Sequence, residues 1–187
     1  QFLLLSYLLH IMAEAHLFGQ VVGAHGFEKT QLFCKWKVER GENFDLVEGK
    51  ESGQTQVDSP LDEEQCLWSH PFDLHYTTRG ISGWPRMHFQ VYAYDDGGRY
   101  DLAGYGFCHL PSAPGTHTIE CNTWRPSGSW KEQLQNFFLG SAPELKNERL
   151  VWSGDDRYRL KTVTTGTVTV QVHVILRGFS DAGVLFA

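Results

Sequence analysis

Val91-Tyr-Ala-Tyr-Asp-Asp-Gly-Gly-Arg-Tyr-Asp-Leu-Ala-Gly104 decides how this chain folds. Up to Tyr94 it alternates, with Val91 and Ala93 on one side and Tyr92 and Tyr94 on the other. Period-two alternation belongs to an extended chain whose successive side chains point to opposite faces. The Asp95-Asp96-Gly97-Gly98 run then supplies the freedom to reverse, and apolar patterning resumes at Leu102. The stretch reads as a strand, a polar loop and the start of a second strand. Asp95, Asp96 and Asp101 place carboxylates in the loop, while Ala93, one pleat before Asp95, carries none.

Outward from this stretch the same period recurs. Upstream, Met87, Phe89, Val91 and Ala93 oppose His88, Gln90, Tyr92 and Tyr94, giving a strand over 86–94. Near the C-terminus, Val168, Val170, Val172, Val174 and Leu176 share one face of Thr167–Leu176, with Thr167, Thr169, Gln171 and His173 on the other. Further strands are expected over His16–Val22, Leu32–Val38, Phe72–Thr77, Leu102–Leu110 and Thr116–Glu120. Turn residues separate them at Gly23–Gly26, Gly80–Pro85, Asp95–Gly98 and Pro111–Gly115. Many short strands with Gly/Pro connections predict an all-β antiparallel sandwich of about eight strands.

One helix interrupts the pattern near 129–139. Ser129 can cap it, Glu132 stands at the capping-box position, and Gly140 can end it. Trp130, Leu134, Phe137 and Phe138 form one apolar stripe, expected to pack over a sheet edge or sandwich end. Lys131 is the lone cation of its polar face, a poor match to anionic lipid.

With 187 residues the chain suits one domain, and 22 acidic against 16 basic residues give a net charge of −6. No basic stripe is present, so nucleic acid is excluded as a partner. Cys34, Cys66, Cys108 and Cys121 show no paired spacing and read as buried thiols of a reducing compartment. Residues 1–11 are apolar but shorter than the ~20 residues that span a bilayer. They lack the basic start and cleavage site of a signal peptide and read as an extension ahead of an initiator at Met12.

The chemistry-bearing residues converge on little. The loop after Tyr94 resembles the third calcium loop of a C2 domain. Ca²⁺ takes six to eight oxygen ligands, however, and the facing loop around Gly23–Phe33 offers one acid, Glu28, beside Lys29. Gln31 stands where that family commonly has an aspartate, so Asp95, Asp96 and Asp101 read as a degenerate remnant and no metal is expected. Nine histidines show no His-x-His or His-Glu-x-x-His spacing. No nucleophile elbow or phosphate-binding loop occurs, so neither catalytic residues nor a cofactor are assigned. What stands out is tryptophan beside turn residues, in Trp68-Ser-His-Pro71, Gly83-Trp-Pro-Arg86, Thr123-Trp-Arg-Pro126 and Gly128-Ser-Trp130. Trp and Arg are enriched where proteins meet.

Those segments, together with Phe33-Cys-Lys-Trp36, Gly53-Gln-Thr-Gln-Val-Asp58, Met87–Val91, Leu102–His109 and Pro114-Gly-Thr-His117, resemble the B9 domain family over roughly Met12 to Phe179. The resemblance implies a C2-like domain over 12–179, with 180–187 a short tail, and no enzymatic activity. It also implies a place on the cytoplasmic side of the ciliary base, in the transition zone and basal body. There B9 proteins associate in the Meckel syndrome complex and support the barrier to membrane-protein entry. The implied partners are B9 domain-containing protein 1 and the Meckel syndrome type 1 protein, with one member bridging the others through two separate surfaces. Matched positions that read as exposed turns give the interface candidates Trp84, Pro85, Arg86, Ser112, Trp124 and Arg125. The alternative is a peripheral, calcium-independent phospholipid-binding module.

Overall fold

A computed structural model describes residues 13–60, 65–95, 97–127 and 161–180. Its strands are β1 (Ala13–His25), β2 (Leu32–Glu39), β3 (Phe44–Gly49), β4 (Ser52–Gln54), β5 (Gln65–Thr78), β6 (Arg86–Tyr94), β7 (Tyr100–His109), β8 (Gly115–Pro126) and β9 (Thr162–Arg177). All pairings are antiparallel, in the order β3-β5-β1-β9-β8-β7-β6-β2-β4. The fold is therefore all-β. The helix expected near 129–139, Met12, Asp96 and the residues of the tail beyond 180 lie outside the described residues. No helix among the described residues is long and apolar enough to cross a membrane.

The nine strands form two layers, β3-β5-β1-β9-β8 and β7-β6-β2-β4, packed face to face. Leu17, Val21, Leu74, Val170 and Val172 of the first layer share one core with Cys34, Trp36, Met87, Phe89 and Val91 of the second. The alternation read from the sequence decides this. Val168, Val170, Val172 and Val174 of β9 and Met87, Phe89, Val91 and Ala93 of β6 are all buried.

The layers are joined at one narrow seam, where Tyr105 pairs with Trp124 and Gly106 with Thr123. Close approach there requires glycine. A Cβ on Gly106 would lie 2.9 Å from Thr123 Cγ2 and 3.0 Å from Cys121 Sγ, and one on Gly104 would lie 2.5 Å from Thr165 Oγ1. Beside the seam the β8–β9 ladder shifts register between Asn122 and Trp124. The Thr123 hydroxyl fills that gap, donating to the Gly166 carbonyl at 2.7 Å and accepting from the Gly166 N–H at 3.1 Å.

Two strands escaped the sequence reading. β3 buries Phe44 but leaves Asp45, Val47, Glu48 and Gly49 exposed, so it shows no alternation. β4 has three residues, too few to carry a period. Both are end strands, and Lys50 and Glu51 are all that separate them, so one short segment passes from the edge of one layer to the edge of the other. β5 starts at Gln65, ahead of the expected Phe72, and runs through Trp68 and Pro71. A register shift opposite Val21–Gly23, with Ser69 at φ 45°, lets the strand continue, and the Trp68 indole donates to the Leu32 carbonyl at 3.1 Å. Trp68 is thus a core residue within a strand.

His88 lies on the outer face of β6, as its alternation requires, yet is buried beside Phe107. Burial pushes its pKa down to about 4, with Arg86, Lys37 and His109 acting in the same direction and Glu39 opposing them. Between that value and the ordinary histidine pKa of ~6.5 the unfolded chain binds the extra proton, so stability must fall as pH drops through this window. Thermal unfolding of a His88→Gln variant is expected to lose part of the pH 7-to-4.5 destabilisation shown by the parent, on the order of 2 kcal/mol. Parallel pH profiles for the two proteins would refute this assignment. At the seam, Gly106→Ala is expected to lower stability in urea by about 1–3 kcal/mol, because Thr123 and Cys121 must move to admit the methyl group.

Candidate functional site

The loop between β6 and β7 folds around Asp95. Its carboxylate accepts the N–H groups of Gly97 at 2.9 Å and Arg99 at 3.0 Å, and its own N–H donates to the Arg99 carbonyl at 2.8 Å. These bonds, that from Arg99 first, hold the Asp95 carboxyl below the usual carboxylate range. An aspartate so engaged is the frame of a turn.

Among the described residues, Asp101 and Glu28 at this end face protein cations. Lys29 Nζ lies 3.9 Å from Asp101, and Arg125 lies 3.5 Å from Glu28. Between them is a cavity of about 200 Å³ lined by Phe27, Ala93, Leu102 and Val163 as well as the four charged residues. The Ala93 methyl forms part of its wall and supplies no oxygen ligand. Lys29 and Arg125 bring positive charge to the wall of this cavity. Among the described residues these do not fit Ca²⁺: too few oxygens converge, and those of Asp95, Asp101 and Glu28 already have partners. Raising Ca²⁺ to about 1 mM, the weak end of protein calcium affinities, is expected to leave the melting temperature unchanged. A saturable rise would show that the loops can rearrange into a site.

The interface candidates divide between two regions. Trp84, Pro85 and Arg86 open β6 at the end away from Asp95. Trp84 packs edge-on against Phe44 at 5.4 Å and near Phe179 at 6.3 Å, and its indole N–H is buried without an acceptor among the described residues. Pro85 is buried, and its carbonyl accepts the Leu110 N–H at 3.3 Å. That bond brings the Pro111–Gly115 loop, with Ser112 exposed on it, beside Trp84–Arg86. Trp124 and Arg125 lie elsewhere, next to the seam and the loop-end cavity. Trp124 is buried with Tyr105 at 5.7 Å, while Arg125 is half-exposed.

Trp124 belongs to a second apolar cluster outside the main core, with Phe33, Tyr92, Leu102 and Tyr105. Phe33 stacks on Tyr92 at 5.2 Å, and Lys35 lies 4.8 Å above the Tyr92 ring. Tyr92 on the otherwise polar face of β6 was the sequence signal for this cluster. The exposed face of β5-β1-β9 also gathers residues far apart in sequence. His16 and His75 approach to 5.3 Å, His16 bonds Asp73 at 2.6 Å, and Phe18 stacks on His173 at 5.1 Å. Among the described residues no group of three or more His, Cys, Asp or Glu is arranged to hold a metal ion. All four cysteines are free and buried. Burial and Asp58 push the Cys66 thiol up to about 11, and burial raises Cys34 further, so neither is a thiolate nucleophile near neutral pH.

The architecture is that of an antiparallel β-sandwich whose loop end sets Lys29 and Arg125 against Asp101 and Glu28. The sequence profile described as "Ciliary basal body-associated, B9 protein" matches residues 15–175. The chain is 52% identical over 173 residues to B9 domain-containing protein 2 of Homo sapiens, covering 92% of this chain and 99% of that one. Against B9 domain-containing protein 2 of Drosophila melanogaster the identity is 38% over 177 residues, covering 94% and 99%. With B9 domain-containing protein 1 of Xenopus laevis it is 28% over 168 residues, covering 88% and 85%. Among solved structures, a C2 domain of plant extended synaptotagmin 1 superposes with a TM-score of 0.42 at 16% identity, covering 87% of this chain and 93% of that one. The chain belongs to the ciliary basal body-associated B9 protein family.

Proposed function

We propose that this protein is a non-enzymatic scaffold subunit of the ciliary transition-zone complex. It bridges other B9 proteins, B9 domain-containing protein 1 and the Meckel syndrome type 1 protein, and so supports ciliogenesis and the membrane-protein diffusion barrier. Beyond family membership, one observation carries this reading. The candidate contact residues fall into two patches, Trp84–Arg86 with Ser112 at one end of β6, and Arg125 near the other. Nine residues of extended chain separate the ends of β6, roughly 27 Å. That spacing suits a subunit holding two partners at once. The loop-end charges favour protein over membrane, because among the described residues Lys29, Arg99 and Arg125 there each face a carboxylate.

Co-expression with both partners, followed by sizing, tests the bridge. The three chains are expected to elute together. Ser112→Arg is expected to weaken retention of one partner at least tenfold, and Arg125→Glu that of the other, with melting temperatures within a few degrees of the parent. A chain that elutes alone, or that floats with liposomes in preference to binding either partner, would sink the scaffold reading.

A further inference from the structure

The four cysteines are not equivalent. Cys66 Sγ donates to the Thr30 carbonyl at 2.8 Å and Cys34 Sγ to the Lys35 carbonyl at 3.5 Å, so backbone engages each of these thiols. Cys108 and Cys121 stand instead on the two strands that meet at the seam, and both belong to the main core. Two cysteines on facing strands can be joined only where their Cα atoms come within about 4.4–6.8 Å.

The register at the seam prepares such a meeting. Tyr105 pairs with Trp124 and Gly106 with Thr123. Carried two residues further along both strands, the same antiparallel register sets Cys108 opposite Cys121. Gly106 and Cys108 share the inward face of β7, two residues apart. Cys121 Sγ lies so close to that face that a Cβ on Gly106 would be 3.0 Å from it. The Cys108 side chain acts directly on the Cys121 thiol and, together with burial, drives its pKa up. Both thiols are free, Cys108 at 9% exposure and Cys121 at 2%. Among the described residues two paired positions join β7 to β8, so a local opening beside these thiols breaks few backbone hydrogen bonds.

We propose that Cys108 and Cys121 form a redox-sensitive dithiol, closed to a disulfide by hydrogen peroxide, that fastens the two layers together at the seam. Cys108, the more exposed of the two, reacts first as the seam opens. Its deprotonated sulfur attacks one peroxide oxygen, the O–O bond breaks, and the hydroxide released takes up a proton to become water. Cys121 Sγ then attacks the Cys108 sulfenic acid, and its proton passes to the departing hydroxyl. The S–S bond forms, the S–O bond breaks, and a second water leaves. Two thiols have lost two electrons and two protons, and one peroxide has become two waters. The bond is reversible, since a small thiol attacks it and restores both cysteines. This dithiol is independent of the scaffold reading.

Peptide mapping of the full chain under non-reducing conditions, before and after hydrogen peroxide, reads the bond directly. Cys108 is expected to be joined to Cys121, free thiols to fall from four to two, and dithiothreitol to recover all four. Closing so short a loop is expected to shift the folding equilibrium about a hundredfold toward the native state, read as a higher urea midpoint. Cys121→Ala is expected to abolish the link and Cys66→Ala to leave it intact. Four free thiols after treatment, or sulfinic acid at Cys108 without a link, would overturn the proposal. So would a link made through Cys34 or Cys66, or one between two molecules. A linked chain whose urea midpoint does not rise would overturn the fastening role. Mapping of the parent chain stands on its own should the Cys121 variant fail to fold.

Discussion

The close approach of β7 to β8 is the constraint on which the sandwich depends. Two paired positions carry the sheet from one layer to the other, and they work because Gly104 and Gly106 present no Cβ to Thr123, Thr165 and Cys121. The Thr123 hydroxyl, almost fully buried, replaces a backbone pair where the β8–β9 ladder slips, so a polar side chain inside the protein is fully engaged. Buried polar groups satisfied in this way fix one register, since a slip by one residue would orphan them. Large apolar side chains fill the interior, but the glycines and one threonine determine how the two layers meet.

The loop end opposite Trp84 is held by ion pairs between protein side chains. A divalent ion draws loops together by sharing several oxygens. Here Lys29 and Arg125 bridge between elements instead, each to a single carboxylate and each partly in water. Such exposed pairs contribute roughly 0–1 kcal/mol apiece and are screened by salt. Asp95 keeps its place for a local reason, the turn that it organises.

Much of this was legible in the sequence because one physical signal carried it. Alternation located β6 to the residue and found β9, β2 and β7 within a few positions, since each has one buried face. It failed where that asymmetry is absent. β3 buries Phe44 at one end and little else, and β4 is too short to show a period. The proline in Trp68-Ser-His-Pro71 argued for a turn, but a bulge at Ser69 let the strand pass through. Ala93 and Gln31 stood in the sequence where the resemblance to a calcium loop would place carboxylates. The cations facing Glu28 and Asp101 were not visible, because Arg125 is distant in sequence and reaches the loop end only through the path of β8. The outer cluster of Phe33, Tyr92 and Trp124 was only partly visible for a similar reason: three strands supply it, and Tyr92 on the polar face of β6 hints at it without naming its neighbours.

The passage of the chain from β3 to β4 has a mechanical consequence. Lys50 and Glu51 are all that separate a strand on the rim of one layer from a strand on the rim of the other. Neither strand can peel far from its layer without pulling on the other, so the two rims open as one unit. The segment acts as a short covalent tether across the sandwich, where the seam joins the layers through paired backbone.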